Sequence, residues 1–576
     1  MPEGGPEGEA VTRETLGISL EEPPEPVGMW LREREGAGRY GDRTWGDMAA
    51  ALPLARVDRF GPIGFFETFR LGGVGAPAVL VDGIPWPRDG GGLPNGMTLP
   101  DAGIGAFEIQ TPRILPGLAL LAPDGAILLE SDPWLGGPPR SFAAAERGPS
   151  GWRNYGFGFA RDFTRQVAVM LDGTFRQADE FELDSHQAFG AGFRTRVRVR
   201  QDLIVRAGHR RHDDDQILID PALRSGFSHD GSDERRVSYV EVLSPGMIGL
   251  VYETRIISAA VAREASFDDV RIADERRGLR VSRRDGIGAA RLTTAVRAEA
   301  RKAEKDGAVR EAGLGALAVG ITCPVAEDLT ARFSVLGEFG EGEEARQSGE
   351  GVLVRRGSVP LLLRIGRAWQ DRSVGRWVEG GGRPGVVRYG ELGFAVSSLP
   401  ASPGVRYFRR EGDSVLRLSS IDAFREDGTV VDERVDGVEV SAGGSRGTFE
   451  GEASYLWSRA REKGSAGRPP YHSDHVVRGR VSYALPIPGL PVVPRWDALA
   501  EWRSDRAAPE RTEPMERWFT LRGRVTLRLR GVDLFAQLEQ VLGHRNEYVD
   551  GPLPGSDGVL SGSQQIHLGL YWPFVD

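Results

Sequence analysis

From about residue 140 to the C-terminus, apolar and polar residues alternate with a period of two. In the run Phe193 to Arg200, Phe193, Thr195, Val197 and Val199 share one face and Arg194, Arg196, Arg198 and Arg200 the other. Leu521 to Leu529 repeats the pattern, with Leu521, Val525, Leu527 and Leu529 set against Arg522, Arg524, Thr526 and Arg528. Arg332 to Phe339 is a weaker version. The final segment sets Ile566, Leu568, Leu570, Trp572 and Phe574 opposite His567, Gly569, Tyr571 and Pro573. Successive side chains of a strand point to opposite faces, so each segment predicts a strand with one greasy and one wet side. Such segments recur about every 15–20 residues and end in Gly, Asp, Pro or Asn. A helical period is nearly absent from this region.

The N-terminal part has another texture. Residues 1–28 are rich in Glu, Gly and Pro, which predicts a flexible tail without a core of its own. Residues 29–135 predict a small α/β unit. Trp45 to Ala51 reads as a short helix with Thr44 as its cap. Leu54 to Arg59, Glu67 to Leu71, Pro77 to Asp82 and Gly105 to Gln110 read as strands, the third ending in the turn Asp82-Gly83.

Residues 136–576 then form one long alternating region, which fits either a soluble sandwich or propeller, or a membrane barrel. Its length without a helical interruption, and aromatics in a strand that ends the chain, favour the barrel. The expected fold is mainly β: a large antiparallel transmembrane β-barrel of about 22 strands, range about 16–22. A barrel that wide has an open lumen unless something fills it, and the N-terminal unit is the candidate. At the C-terminal end, Arg530-Gly531-Val532 is a tight turn and His544 to Gly562 a long polar loop. Short turns belong on the periplasmic side, so the last strand is expected to end there.

Composition narrows the function classes. The longest apolar region, Gly117 to Leu129, is broken by Pro123, Asp124 and Gly125, so no spanning helix is expected. The chain carries 73 Lys and Arg against 82 Asp and Glu, which argues against nucleic acid as a partner. Its single cysteine, Cys323, excludes an internal disulfide and any multi-cysteine metal site. Met1-Pro2-Glu3-Gly4-Gly5 has neither the basic nor the apolar region of a secretion signal, which counts against an envelope location unless the sequence is a mature-like form.

Chemistry-bearing clusters are few. His209-Arg210-Arg211-His212-Asp213-Asp214-Asp215 holds cation-ligand types, but reads as a charged loop between strands. His472-Ser473-Asp474-His475 reads the same way. No nucleophile elbow, phosphate loop or zinc-protease motif is present. The expectation is no enzyme, no cofactor and no metal. The arginine faces would line the lumen, either as an anion path or paired with acids of the N-terminal unit or of neighbouring strands.

The segment from Thr44 to Pro112 resembles the plug domain of TonB-dependent outer-membrane receptors. Ala51-Leu52-Pro53-Leu54-Ala55-Arg56-Val57 stands where that family has its first helix and turn. Gly61 to Gly64 and Phe69-Arg70-Leu71-Gly72-Gly73 follow in place of the glycine-rich segment and its Arg-Gly pair. Val79-Leu80-Val81-Asp82-Gly83-Ile84-Pro85 matches the next motif closely. Phe107-Glu108-Ile109-Gln110-Thr111-Pro112 and Gly125 to Glu130 resemble the last two, and Val541 to Tyr548 resembles the family's C-terminal region. The departures are Leu71 splitting the Arg-Gly pair, Ala106-Phe107 where an arginine stands in the family, Thr111-Pro112 for Gly-Pro, and no clear TonB box; Glu9-Ala10-Val11-Thr12 is a poor match.

The resemblance implies the plug motif residues Arg70, Gly72, Leu80, Asp82, Gly83 and Glu108. It implies ligand contacts from the outer plug loops, by position Trp86, Pro87, Arg88 and Asp89, then Leu93, Asn95 and Met97. It implies a bacterial outer-membrane location among lipid, a monomer, a TonB-type inner-membrane energiser, and import of a scarce small molecule or chelate. A porin-like or structural barrel without energy coupling stays open as the alternative.

Overall fold

The computed structural model describes residues 29–33, 45, 55–59, 67–71, 77–87, 99, 104–131, 140–149, 151–180, 183–219, 227–262, 269–341, 343–370, 374–380, 384–396, 401–417, 429–463, 469, 472–485, 487, 492–505, 517–539 and 565–574. From Arg140 onward the strands pair in chain order, each antiparallel to the next, and form a closed 22-strand barrel. The seam joins the first strand, Arg140–Arg147, to the last, Gln565–Phe574, with Ser141 opposite Phe574 and Arg147 opposite Leu568. Closure leaves no unpaired sheet edge, which is what allows strands to cross hydrocarbon.

The alternation sorts side chains by solvent. Facing outward are Ile365 at 63% exposure and Phe333 at 61%, while their neighbours Arg364 and Arg332 are 0% and 7% exposed. A soluble protein places these types the other way round; an oily exterior around a polar interior suits a bilayer. No helix among the described residues is long and apolar enough to cross a membrane.

An even strand number sets both ends of the barrel wall on the same side. The connections 201–202, 245–246, 288–289, 447–448 and 530–531 lie at that end. Arg530 and Gly531 both have positive φ, 47° and 89°, the two-residue hairpin geometry whose twist matches the strands. At the opposite end run the connections 371–384, 418–428, 504–517 and 540–564. Every connection longer than about ten residues lies at this opposite end, which orients the barrel with that side outward.

Two sequence expectations are corrected. His209 to Asp215 is no loop; it lies inside the strand Leu203–Ile219 and pairs with Phe193 to Gln187 on one side. Its alternation is His209, Arg211 and Asp213 outward against Arg210, His212 and Asp214 inward, so density of charge had masked a strand. His475 likewise opens the strand His475–Ala484, although residues 472–474 precede it.

Before the barrel, Met29–Glu33, Ile104–Gln110, Ala126–Ser131, Ala78–Val81 and Ile84–Pro85 form a five-stranded sheet in that order. Ala78–Val81 runs parallel to Ala126–Ser131; the other pairings are antiparallel. Ala55–Arg59 pairs with Glu67–Leu71. Trp45 is helical and buried, and positions 46–51 of the expected helix lie outside the described residues. The apolar cluster of this unit (Trp45, Val79, Val81, Ile84, Ile109, Ile127) continues into Val237, Leu250 and Tyr252 of the barrel's inner wall.

Candidate functional site

Three ties fasten the N-terminal unit to the inner wall. The first grows from the end of the strand Ala78–Val81. Asp82 and Gly83 turn the chain with φ of 53° and 77°, a conformation cheap for glycine and tolerated by aspartate. The turn aims the Asp82 carboxylate back at Ser131, whose backbone N–H donates at 2.8 Å and whose hydroxyl donates at 2.5 Å. The barrel's Tyr239 hydroxyl donates to the same carboxylate at 3.3 Å. Arg280 of the barrel donates to the Gly83 carbonyl at 2.7 Å. A Cβ at Gly83 would lie 3.2 Å from the Arg280 guanidinium, so a side chain there would press on this tie.

Burial opposes ionisation of Asp82, but the nearby Arg194, the Ser131 hydroxyl and Arg206 outweigh it and hold the carboxyl below its ordinary 3.8. A depressed carboxyl stabilises the fold above its unfolded value and loses that contribution as pH falls through the folded value. Asp82→Asn is therefore expected to lower the unfolding free energy of the N-terminal unit by about 1–3 kcal/mol at neutral pH. The gap from the parent protein should close only well below pH 4. Urea melts followed by tryptophan fluorescence read it; an equal stability of the two proteins at neutral pH would refute the ionic role.

The second tie centres on Thr111. Its hydroxyl donates to Glu391 at 2.9 Å and accepts from Arg364. Arg364 also donates to Glu391 at 2.7 Å, and Arg406 to the other Glu391 oxygen at 3.1 Å. Beside it, the Ile114 N–H reaches Glu350 at 3.3 Å, and Tyr389 donates to Glu350 at 2.8 Å. The third tie centres on Asp124, which accepts from Gln370 at 2.5 Å and pairs with Arg410; Arg410 also pairs with Glu433. All these side chains are buried. Buried charges are stable only with their mates in place, so each tie holds the unit in one pose.

The described part of the connection 371–384 also meets the inner wall. Its helix Val374–Val378 packs Trp377 on Ile272, Ala303 and Ala312 of the inner wall. The Trp377 ring lies between the guanidiniums of Arg301 and Arg310, at 4.4 and 4.8 Å. Arg310 donates to the Trp377 carbonyl at 2.6 Å, and Lys305 pairs with Glu379 at 2.7 Å. An outer connection is thus clamped inside the barrel mouth.

The residues read from sequence separate into groups. Arg70, Leu80, Asp82 and Glu108 are buried within the N-terminal unit, and Glu108 accepts from Gln110. Trp86 is buried at 4% exposure in the cluster that reaches the barrel wall. Gly72, Arg88, Asp89, Asn95 and Met97 lie outside the described residues. Arg194 and Arg196 face inward, with Arg194 paired to Asp172 at 3.2 Å and Arg196 to Asp162 at 3.5 Å. Arg198 is half-buried, and Arg200 is exposed beyond an irregularity in the ladder between Arg198 and Arg200. Arg522 is buried; Arg524 stacks 3.8 Å over the Phe535 ring. Arg528 is exposed and pairs with Asp533 across the hairpin at 2.7 Å. Trp572 faces outward, and the backbone of Phe574 closes the seam.

Sequence reading missed Thr111 as a tie, Asp124, Arg280, Arg364, Glu391, Arg410 and Trp377. No signal in the chain links Thr111 to Glu391 or Asp124 to Arg410; barrel closure alone brings them together. Among the described residues no group of three metal-ligating side chains converges.

Sequence comparison finds no matching protein-family model and no matching curated protein. Comparison of structures is more informative. The siderophore receptor PirA from Acinetobacter baumannii aligns with a TM-score of 0.79 at 10% identity, over 95% of this chain and 98% of that chain. A variant of the ferric enterobactin receptor PfeA from Pseudomonas aeruginosa, in complex with enterobactin, aligns at 0.76 and 10%, over 95% and 99%. The alcaligin outer-membrane receptor FauA from Bordetella pertussis aligns at 0.66 and 12%, over 96% and 95%. At such identities the likeness is one of fold, and it runs the length of both chains.

Proposed function

We propose that this chain is an outer-membrane receptor that binds a scarce solute, a ferric chelate by first choice, at its outer mouth and imports it with energy from a TonB-type partner. One observation carries the reading: a 22-strand barrel holds its N-terminal unit against the inner wall by buried, paired charges. A permanent structural stopper needs only apolar packing. Ionic ties are directional, and each can be exchanged for water when the unit is pulled, which suits a plug that must shift and return. Residues 29–135 are then the plug and residues 1–28 the handle. The receptors with the same fold are described as siderophore, enterobactin and alcaligin receptors, which supports a chelate as cargo.

The test uses cells stripped of their own chelate receptors and supplied with this chain. Uptake of radioactive iron as a catecholate or hydroxamate chelate is expected, abolished by a protonophore and by removal of residues 2–28. Binding in the cold should survive both treatments. Uptake indifferent to both would make the protein a passive porin-like channel, and no chelate binding at all would remove this class of cargo.

A further inference from the structure

The seat of the helix Val374–Val378 carries more charge than an indole ring needs. Its floor is apolar, made by Ile272, Ala303 and Ala312. Around that floor stand three cations from two neighbouring strands, Arg301 and Lys305 of Ala290–Lys305 and Arg310 of Ala308–Pro324. Arg301 lies 4.4 Å and Arg310 4.8 Å from the centre of the Trp377 ring. Arg310 also donates to the Trp377 carbonyl at 2.6 Å, and Lys305 pairs with Glu379 at 2.7 Å. Apolar packing suffices to seat a tryptophan. Converging cations suit an aromatic ring that brings a negative charge with it. The connection supplies both features itself: Trp377 offers the ring and Glu379, two residues on, the carboxylate.

The occupant is easily exchanged, whereas the seat is fixed. The helix has five residues, and isolated helices shorter than about 12–15 are marginal in water, so contacts with the wall hold it in place. The Glu379 side chain is 53% exposed, and an ion pair so open to water contributes little. Arg301, by contrast, is held without the helix, since its guanidinium donates to the two oxygens of Asp274 at 2.8 and 3.2 Å. The seat lies at the outer end of the wall, where Asp306 and Gly307 turn the chain with φ of 48° and 86°.

We propose that this seat is a binding site for an aromatic ring carrying an anionic group, a phenolate or aryl carboxylate of the cargo, and that Trp377 and Glu379 fill it in the resting protein as a built-in competitor. A ring with its own charge meets the guanidiniums as an ion and as a π face together, an attraction that neutral indole lacks, and so displaces the helix. As a cargo site the seat rests on the receptor reading above, and it narrows the cargo to chelates with anionic aryl groups in place of hydroxamates.

The test titrates salicylate into the purified full chain in detergent by isothermal titration calorimetry. A site that its own helix fills about nine-tenths of the time binds about tenfold more weakly than the same site left open. Trp377→Ala is therefore expected to tighten salicylate about tenfold, and Glu379→Gln to tighten it less. Arg310→Gln added to Trp377→Ala should reverse the gain. Benzyl alcohol has the ring without the charge and cyclohexanecarboxylate the charge without the ring, and both should bind every variant far more weakly. A purely structural clamp behaves otherwise, because Trp377→Ala and Arg310→Gln then loosen one contact and act in the same direction. Salicylate affinity that neither Trp377→Ala nor Glu379→Gln raises would overturn the proposal, as would equal binding of cyclohexanecarboxylate. Energised uptake of a hydroxamate chelate beside such a result would remove the site and leave the receptor. Tighter binding by Trp377→Ala without energised uptake of any chelate would remove the receptor reading and leave the site.

Discussion

Replacing Arg410 with methionine is expected to release the N-terminal unit from the far wall and to weaken its seating by about 3–5 kcal/mol. Arg410 joins two carboxylates that belong to different parts of the chain, Asp124 of the N-terminal unit and Glu433 of the barrel. Methionine keeps much of the volume and removes the charge. Two buried acids are then left facing each other, with Gln370 still donating to Asp124 at 2.5 Å. Leaving buried charges unmated costs far more than a surface pair is worth, so the effect should exceed that of Arg528→Ala, whose partner Asp533 keeps contact with water. The measurement is trypsin protection of the N-terminal unit in a urea series, with barrel integrity checked by gel mobility. The double variant R410M/D124N should recover part of the loss, because one of the stranded charges is gone. Equal protection in the parent and R410M proteins would show that Asp124 is held by packing alone.

The barrel was legible because its signal is local. Alternation over eight residues in Phe193 to Arg200 suffices to predict a strand, and the structure places Phe193 outward and Arg196 inward as the pattern requires. The same rule failed at Arg200. The ladder shifts between Arg198 and Arg200, and one inserted residue turns the following side chain away from the lumen. It also failed at His209 to Asp215, where both faces are polar and period two cannot be seen by hydrophobicity. That strand reaches past the hydrocarbon, so nothing selects an oily face there.

Motifs of the N-terminal unit were legible for another reason. The Asp82-Gly83 turn demands positive φ at two successive residues, and few sequences supply it. Trp86 could be named but not placed, since an aromatic beside a turn suits a ligand face and a core equally; it is buried. The ties themselves carry no trace in the chain. Thr111 and Glu391 are 280 positions apart, and Asp124 and Arg410 286. Each is an ordinary residue of its strand or turn until closure sets it opposite its mate. Trp377 was hidden for the same reason, because its clamp of Arg301 and Arg310 comes from a distant hairpin.

Removal of residues 1–131 is expected to convert a nearly silent protein into a large conducting pore in planar bilayers. The barrel should survive the loss, because its backbone hydrogen bonds close on themselves and owe nothing to the N-terminal sheet. What is lost on the inner wall is modest. Val237, Leu250 and Tyr252 become wetted, at about 25 cal/mol for each Å² of apolar surface newly exposed. Arg364 and Glu391 keep each other at 2.7 Å, as Arg410 keeps Glu433, so few charges are stranded. A wall of 22 strands encloses far more space than its own side chains can fill, and water should occupy it. One element opposes full opening. The Val374–Val378 helix lies inside the mouth, clamped by Trp377 between two arginines, and it stays behind when the N-terminal unit is removed. The truncated protein should therefore flicker, and Trp377→Ala in the same background should abolish the flicker and raise the mean conductance. A truncated barrel that remains closed would mean that the outer connections, rather than the N-terminal unit, seal the lumen.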